Sequence, residues 1–172
     1  MSEFIVEAKS RNDLRSLARD FRKKLGIDNQ LWIPVVELLD VLSEIFPDFS
    51  YEVVEDDELP IGTHAETDIR TGHITIRESV YEGACDNQGR DRMTLAHEIG
   101  HFLLLRFYRF SLQRNFTYRK VKAYEDPEWQ ANCFAGEFLV PYHLAGSMTA
   151  EEIAEVCGVS YEAAAYQLRH RN

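Results

Sequence analysis

The run His97-Glu98-Ile99-Gly100-His101 holds two imidazoles and a carboxylate at a spacing that suits metal chemistry. On an α-helix, positions four apart differ by about 40° around the axis and about 6 Å along it, so both rings can converge on one ion. Zinc prefers nitrogen, sulfur and carboxylate ligands in a tetrahedral shell, and catalytic zinc sites keep one position for water. Such a metal lowers the pKa of water from about 15.7 to about 7. Glu98, about 100° round from His97, is off the ligand stripe but within reach of that water, which makes it the expected catalytic base. The plainer alternative is a pair of core histidines satisfied by hydrogen bonds.

Two histidines require a third protein ligand. His64 and His73 flank a hairpin and His143 and His170 fall in surface-like ends, so the carboxylates downstream are the better source. Asp126-Pro127-Glu128-Trp129 reads as an N-cap, a proline at the first helical position and a first turn. From Glu128 the three-and-four spacing passes through Ala131, Asn132, Ala135 and Leu139, and the small residues among them would let this helix press against the first. Glu128 is the expected third ligand. Glu125, Asp126 and Glu137 are its rivals, and the alternative role for Glu128 is to stabilise the helix dipole.

The helix carrying His97 and His101 is expected from Met93 to about Phe107, a stretch apolar almost all round and therefore buried. An unpaired ion in such a helix costs on the order of several kcal/mol, a penalty that a bound dication removes. Upstream, Leu14, Leu17, Ala18, Phe21 and Leu25 recur at helical spacing from Arg11 to Leu25, and Gly26 stands where that helix stops. Pro34 opens a second helix that ends before Pro47. Tyr51, Val53 and Val54 suggest a strand. His64 to Val80 reads as a hairpin turning at Arg70-Thr71-Gly72-His73, so that a strand directly precedes the metal helix. Near the C-terminus Thr149-Ala150-Glu151-Glu152 is a capping box, Gly158 a break and Ser160 a second cap, with the helix after it running through Leu168. This has the outline of a helix-turn-helix. Its outward residues are Glu151, Glu152, Glu155 and Glu162, whereas a recognition helix supplies donors to bases and phosphates. The segment therefore reads as packing or partner-binding.

A chain of 172 residues suits a single domain over 1–172, with N-terminal helices in 1–50, the sheet and metal site in 51–147 and the helix-turn-helix-like segment in 148–172. The net charge of -10 repels phosphate backbones and anionic membranes and favours a basic protein partner. The basic and aromatic stretch from Arg106 to Lys122 reads as a solvated loop with some packed rings. Cys85, Cys133 and Cys157 are odd in number and widely spaced, which predicts reduced, mostly buried thiols. With no signal-like start and no apolar run of membrane length, the expected location is cytoplasmic.

Two blocks together resemble the ImmA/IrrE family of metallopeptidases: His97-Glu98-Ile99-Gly100-His101, then Glu128-Trp129-Gln130-Ala131-Asn132-Cys133-Phe134-Ala135 with Leu139 and Pro141 beyond. The resemblance runs from about Ile61 to the C-terminus, and the stretch from Tyr108 to Asp126 matches no motif. With the predicted elements it implies an α+β, mostly helical zincin-like domain with a small antiparallel sheet beside the HExxH helix. It also implies Zn2+ bound by His97, His101 and Glu128, with Glu98 as base, and a substrate or partner that is a helix-turn-helix repressor of the Xre type. Members are commonly encoded by prophages, mobile elements and stress-response systems, where cutting the repressor switches on its genes. On this reading a protein segment adds as an extended strand along the edge near Ile74 to Arg77. The alternatives are a regulator that binds such a repressor without cutting it, the toxin of a toxin-antitoxin pair, and a metal-dependent amidase acting on small molecules.

Overall fold

A computed structural model describes residues 4–108, 113–114 and 121–171. Strand β1 (Phe4–Ile5) is followed by helices α1 (Arg11–Lys24) and α2 (Glu37–Ile45), then strands β2 (Ser50–Val54), β3 (Ala65–Asp68) and β4 (His73–Arg77). Helix α3 (Glu78–Cys85) leads into the long helix α4 (Gly89–Tyr108). After β5 (Gln113–Arg114) and one 3-10 turn at Ala123–Glu125 come α5 (Pro127–Leu139), α6 (Tyr142–Ala145), α7 (Ala150–Cys157) and α8 (Tyr161–Arg169). Among the described residues no helix is long and apolar enough to cross a membrane.

The helix ends follow local chemistry. Ser10 and Asp13 form a reciprocal capping box on α1, as Thr149 and Glu152 do on α7, so orphan N–H groups are satisfied at both. Ser160 caps α8, and Gly158 takes the left-handed conformation (φ 64°) that ends α7 at no steric cost. The expected helix-turn-helix outline is present. Helix α2 begins at Glu37, with Pro34 in the turn ahead of it, and α4 begins at Gly89, one turn before the expected Met93.

Three sheet expectations need correction. The three-stranded sheet has the order β2-β4-β3, with β3 antiparallel and β2 parallel to β4, so it is mixed where an antiparallel sheet was expected. The β3–β4 hairpin is local and turns at Gly72 (φ 76°), whereas β2 reaches the far side of β4 through a pairing that no short-range pattern encodes. Consequently β4 is the central strand. The stretch from Ile74 to Arg77 is paired on both sides and offers no edge to a ligand, and the outer strand beside the metal helix is β3. The hairpin also stops short of Val80. Arg77 is the N-cap of α3, the Asp56 side chain accepts from the Ser79 amide at 3.0 Å, and Val80 and Ala84 bury one face of the helix. Thus α3, whose first three residues were expected to end a strand, leads into α4.

The core lies between the sheet, α1, α2, α4 and α5, and includes Leu14, Phe21, Leu39, Leu42, Ile74, Ile76, Leu95, Ile99, Phe102 and Phe134. Helices α4 and α5 meet closely: a Cβ at Gly100 would lie 3.0 Å from the Phe134 ring and 3.3 Å from the Ala131 carbonyl. This is the contact that the small residue Ala131 was expected to allow. All three cysteines are free; burial pushes the thiols of Cys133 and Cys157 up to about 11, which leaves them unreactive, while Cys85 is exposed. Residues 109–112 and 115–120 of the basic and aromatic stretch lie outside the described residues.

Candidate metal centre

Close packing of α4 on α5 brings His97, His101 and Glu128 together, with one donor atom from each within 4.8 Å of the others. His97 Nε2 lies 2.9 Å from His101 Nε2, and the two Glu128 oxygens lie 3.3 Å from His97 Nε2 and from His101 Nε2. Donors 2.9–3.3 Å apart bound a point about 2 Å from each, the ligand distance that zinc takes with nitrogen and oxygen. The donor set, two imidazoles and one carboxylate, is also a known catalytic zinc set, so the residues fit the ion.

The flanking groups orient this set. Asn132, one turn after Glu128, accepts at Oδ1 from Nδ1 of His97 at 3.0 Å, which leaves the Nε2 lone pair facing the centre. Asp126 caps α5 by accepting from the Glu128 amide, with Pro127 at the start of the helix, as the sequence pattern predicted. Thr67 on β3 donates from Oγ1 to Glu98 Oε2 at 2.6 Å, holding a carboxylate whose side chain is only 8% exposed. Sequence reasoning missed both partners. Asn132 was visible as a face position without a role, whereas nothing local marks Thr67, which meets Glu98 only through the packing of β3 on α4.

Without a metal, the three side chains stabilise one another. Hydrogen bonds from His101 and then His97 hold the Glu128 carboxyl far below the usual range against the opposing effect of its burial. Burial works against the charged form of His97, but the bond to Glu128 and the charges of Glu98 and Glu128 outweigh it and raise its pKa. Dense negative charge meeting two imidazoles is what a cation would neutralise.

The rivals for the third position are placed elsewhere. Glu137 is nine residues further along α5 and is held by Arg11 at 3.1 Å and Arg15 at 2.8 Å. Glu125 lies in the 3-10 turn, and Asp126 is engaged as the N-cap. His73 lies 2.8 Å from Ser50 and His143 3.1 Å from Asp28, both away from the cluster. The cluster opens on a cleft of about 450 Å³ lined by His97, Glu98, Glu128 and Asn132, by His64 and Ala65 ahead of and at the start of β3, and by Ser160 and Ala163 at the start of α8. The C-terminal segment is thus a wall of the cleft.

Comparison with known proteins gives a family and a fold. Residues 53–169 match the family described as the IrrE N-terminal-like domain, Peptidase_M78. A solved structure titled Mycobacterium tuberculosis transcriptional regulator is similar in fold, with a TM-score of 0.59 and 17% identity, covering 91% of this chain and 48% of that one. The chain therefore spans about half the length of that protein. No curated protein sequence matches the chain.

Proposed function

Because the chain belongs to the IrrE N-terminal-like family of metallopeptidases, we propose that it is a zinc-dependent endopeptidase with His97, His101 and Glu128 as metal ligands and Glu98 as catalytic base. The observation that carries this reading is the convergence of three ligand atoms on one point beside a buried carboxylate that is not part of the set. Bound zinc would supply Lewis acidity, which makes water nucleophilic near neutral pH and polarises a carbonyl.

Around that ion the chain's own residues do the rest. Glu98 Oε1 accepts the proton of the attacking water while Thr67 holds Oε2, and the same carboxyl then delivers the proton to the leaving amine. Asn132 fixes the ring of His97. The substrate segment adds to the outer edge of β3, where backbone groups are available for pairing beside the metal helix.

The substrate we propose is a helix-turn-helix repressor of the Xre type, met in the cytoplasm, as the resemblance to ImmA/IrrE proteins implies; the net charge of -10 suits a basic DNA-binding partner better than DNA itself. Zinc-loaded protein incubated with an Xre-type repressor, taken from beside its gene where one is encoded there, should cut it at one site. Glu98→Gln should keep zinc and lower the cleavage rate by about 100- to 10,000-fold. Retained cleavage by Glu98→Gln would refute the assigned base. Relief of repression by that variant without cutting would favour a regulator acting by contact, and growth arrest on expression without the neighbouring gene would favour a toxin.

A further inference from the structure

Arg90 and His64 face each other across one end of the metal cleft, with Nη2 of Arg90 2.6 Å from Nε2 of His64. A guanidinium always donates, so the imidazole nitrogen accepts and the pair carries the single positive charge of Arg90. Among the described residues His64 is the one hydrogen-bond partner of the Arg90 guanidinium, and no carboxylate pairs with it. In a chain with 29 acidic and 19 basic residues this is a cation left without an acid. The cleft's own carboxylates do not supply one, since Glu128 is turned to the imidazoles and Glu98 to Thr67. Asp91, next along α4, packs against Gly83 of α3, on another face of the helix.

The distance from the reacting centre follows from helix geometry. Arg90 precedes His97 by two turns on the same face, about 10 Å along the axis. An extended peptide rises about 3.3 Å per residue, so that span covers about three residues. His64 immediately precedes β3, and its carbonyl accepts from the Arg77 amide at 3.1 Å, which fixes it at the end of the edge along which a peptide would run.

We propose that the Arg90–His64 pair is a specificity subsite that receives a carboxylate of the substrate, two to four residues from the cleaved bond. The proposal rests on the peptidase reading above. Arg90 makes the ion pair, and His64 is a positioning residue that holds the guanidinium across the cleft. The carboxylate can come from an Asp or Glu side chain or from the end of a chain.

The test is to incubate the zinc-loaded full-length protein with a soluble bacterial protein extract and to map the new N-termini, taking those also seen with Glu98→Gln as background. Wild type should show acidic residues enriched about two- to fivefold at a single position two to four residues from the cut, the size expected of a partly exposed ion pair. Arg90→Gln should remove the enrichment and Arg90→Glu should turn it toward Lys and Arg. His64→Ala should spread it over neighbouring positions. Cuts at a fixed distance from protein C-termini would identify the terminal carboxylate as the group bound. Zinc content and melting temperature of each variant, unchanged because Arg90 is exposed, separate a lost subsite from a lost fold. Cleavage with no acidic preference, or with the same preference in Arg90→Glu, overturns the subsite alone. No new N-termini above the Glu98→Gln background, with an Xre-type repressor added to the extract and itself left uncut, overturns the peptidase reading and the subsite with it, whereas a cut in that repressor with no acidic residue two to four positions away overturns the subsite alone.

Discussion

Helix α5 presents two carboxylates, and the contrast between them separates a structural charge from a functional one. Glu137 is buried to 2% side-chain exposure and is met by two guanidiniums, Arg11 and Arg15, which are permanently charged and tie α1 to α5. Its bond to Arg15 stabilises the guanidinium's charge further. Glu128 is met by two imidazoles and stays open to the cleft. An arginine has no lone pair to give a metal, whereas a neutral imidazole has one at each unprotonated nitrogen. The same acid on the same helix is therefore saturated in one place and left able to take a cation in the other.

The largest effect that would sharpen this contrast is on stability. Glu137→Ala strips the shared partner from two partly buried arginines, a loss of about 3–5 kcal/mol, and should lower the melting temperature on the order of 10 °C for a chain of this size. Glu128→Ala should lower the melting temperature of the metal-free protein by much less than Glu137→Ala does, because its ion pairs are largely exposed, but should abolish stoichiometric zinc binding. Calorimetry on both variants, with and without zinc, checks this; equal destabilisation in the metal-free state would erase the distinction. Next in size is Asn132→Ala, which frees the His97 ring and should weaken zinc binding by about 10- to 100-fold, read by competition with a chromogenic chelator. Unchanged affinity would mean that Asn132 does not orient the ligand.

The smallest effect concerns pH in the metal-free protein. The depressed pKa of Glu128 contributes stability above its ordinary value of 4.5 and loses it as pH falls through the folded-state value. The raised pKa of His97 contributes stability below its ordinary value of 6.5 and loses it as pH rises through the folded-state value. The pair therefore helps most between about pH 4.5 and 6.5. Zinc binding has the opposite trend above that window, because the imidazoles must be deprotonated to bind. Thermal melts of chelator-treated and zinc-loaded protein at pH 5.5 and pH 8 should show the gap between the two forms widening at pH 8, and a constant gap would contradict the assignment of His97.

The metal helix was legible because its information is local: two histidines one turn apart in an apolar stretch, then a proline-led helix whose first turn carries Glu128. The caps at Ser10, Thr149 and Ser160 act over three residues, and those at Thr149 and Ser160 were readable for the same reason. What escaped depends on distant pairing. The parallel match of β2 to β4 joins strands separated by the whole of β3, and the bond from Thr67 to Glu98 crosses from sheet to helix. The first turn of α3, as far as Val80, was read as the tail of a strand because Ile74 and Ile76 set an alternating pattern that runs on into Val80, while the burial of Val80 with Ala84 emerges only against the core.

Arg92, on the metal helix itself, is 1% exposed and spends its donors on the carbonyls of Gly158 at 2.9 Å, Ile33 at 3.0 Å and Cys157 at 3.4 Å, beneath the ring of Trp32. Two of those acceptors belong to the bend between α7 and α8. The last 25 residues are thus no detachable module: cutting the chain at residue 147 would take two of the three acceptors from a guanidinium about one and a half turns before His97, and swapping the tail between proteins would have to carry that bend along with it.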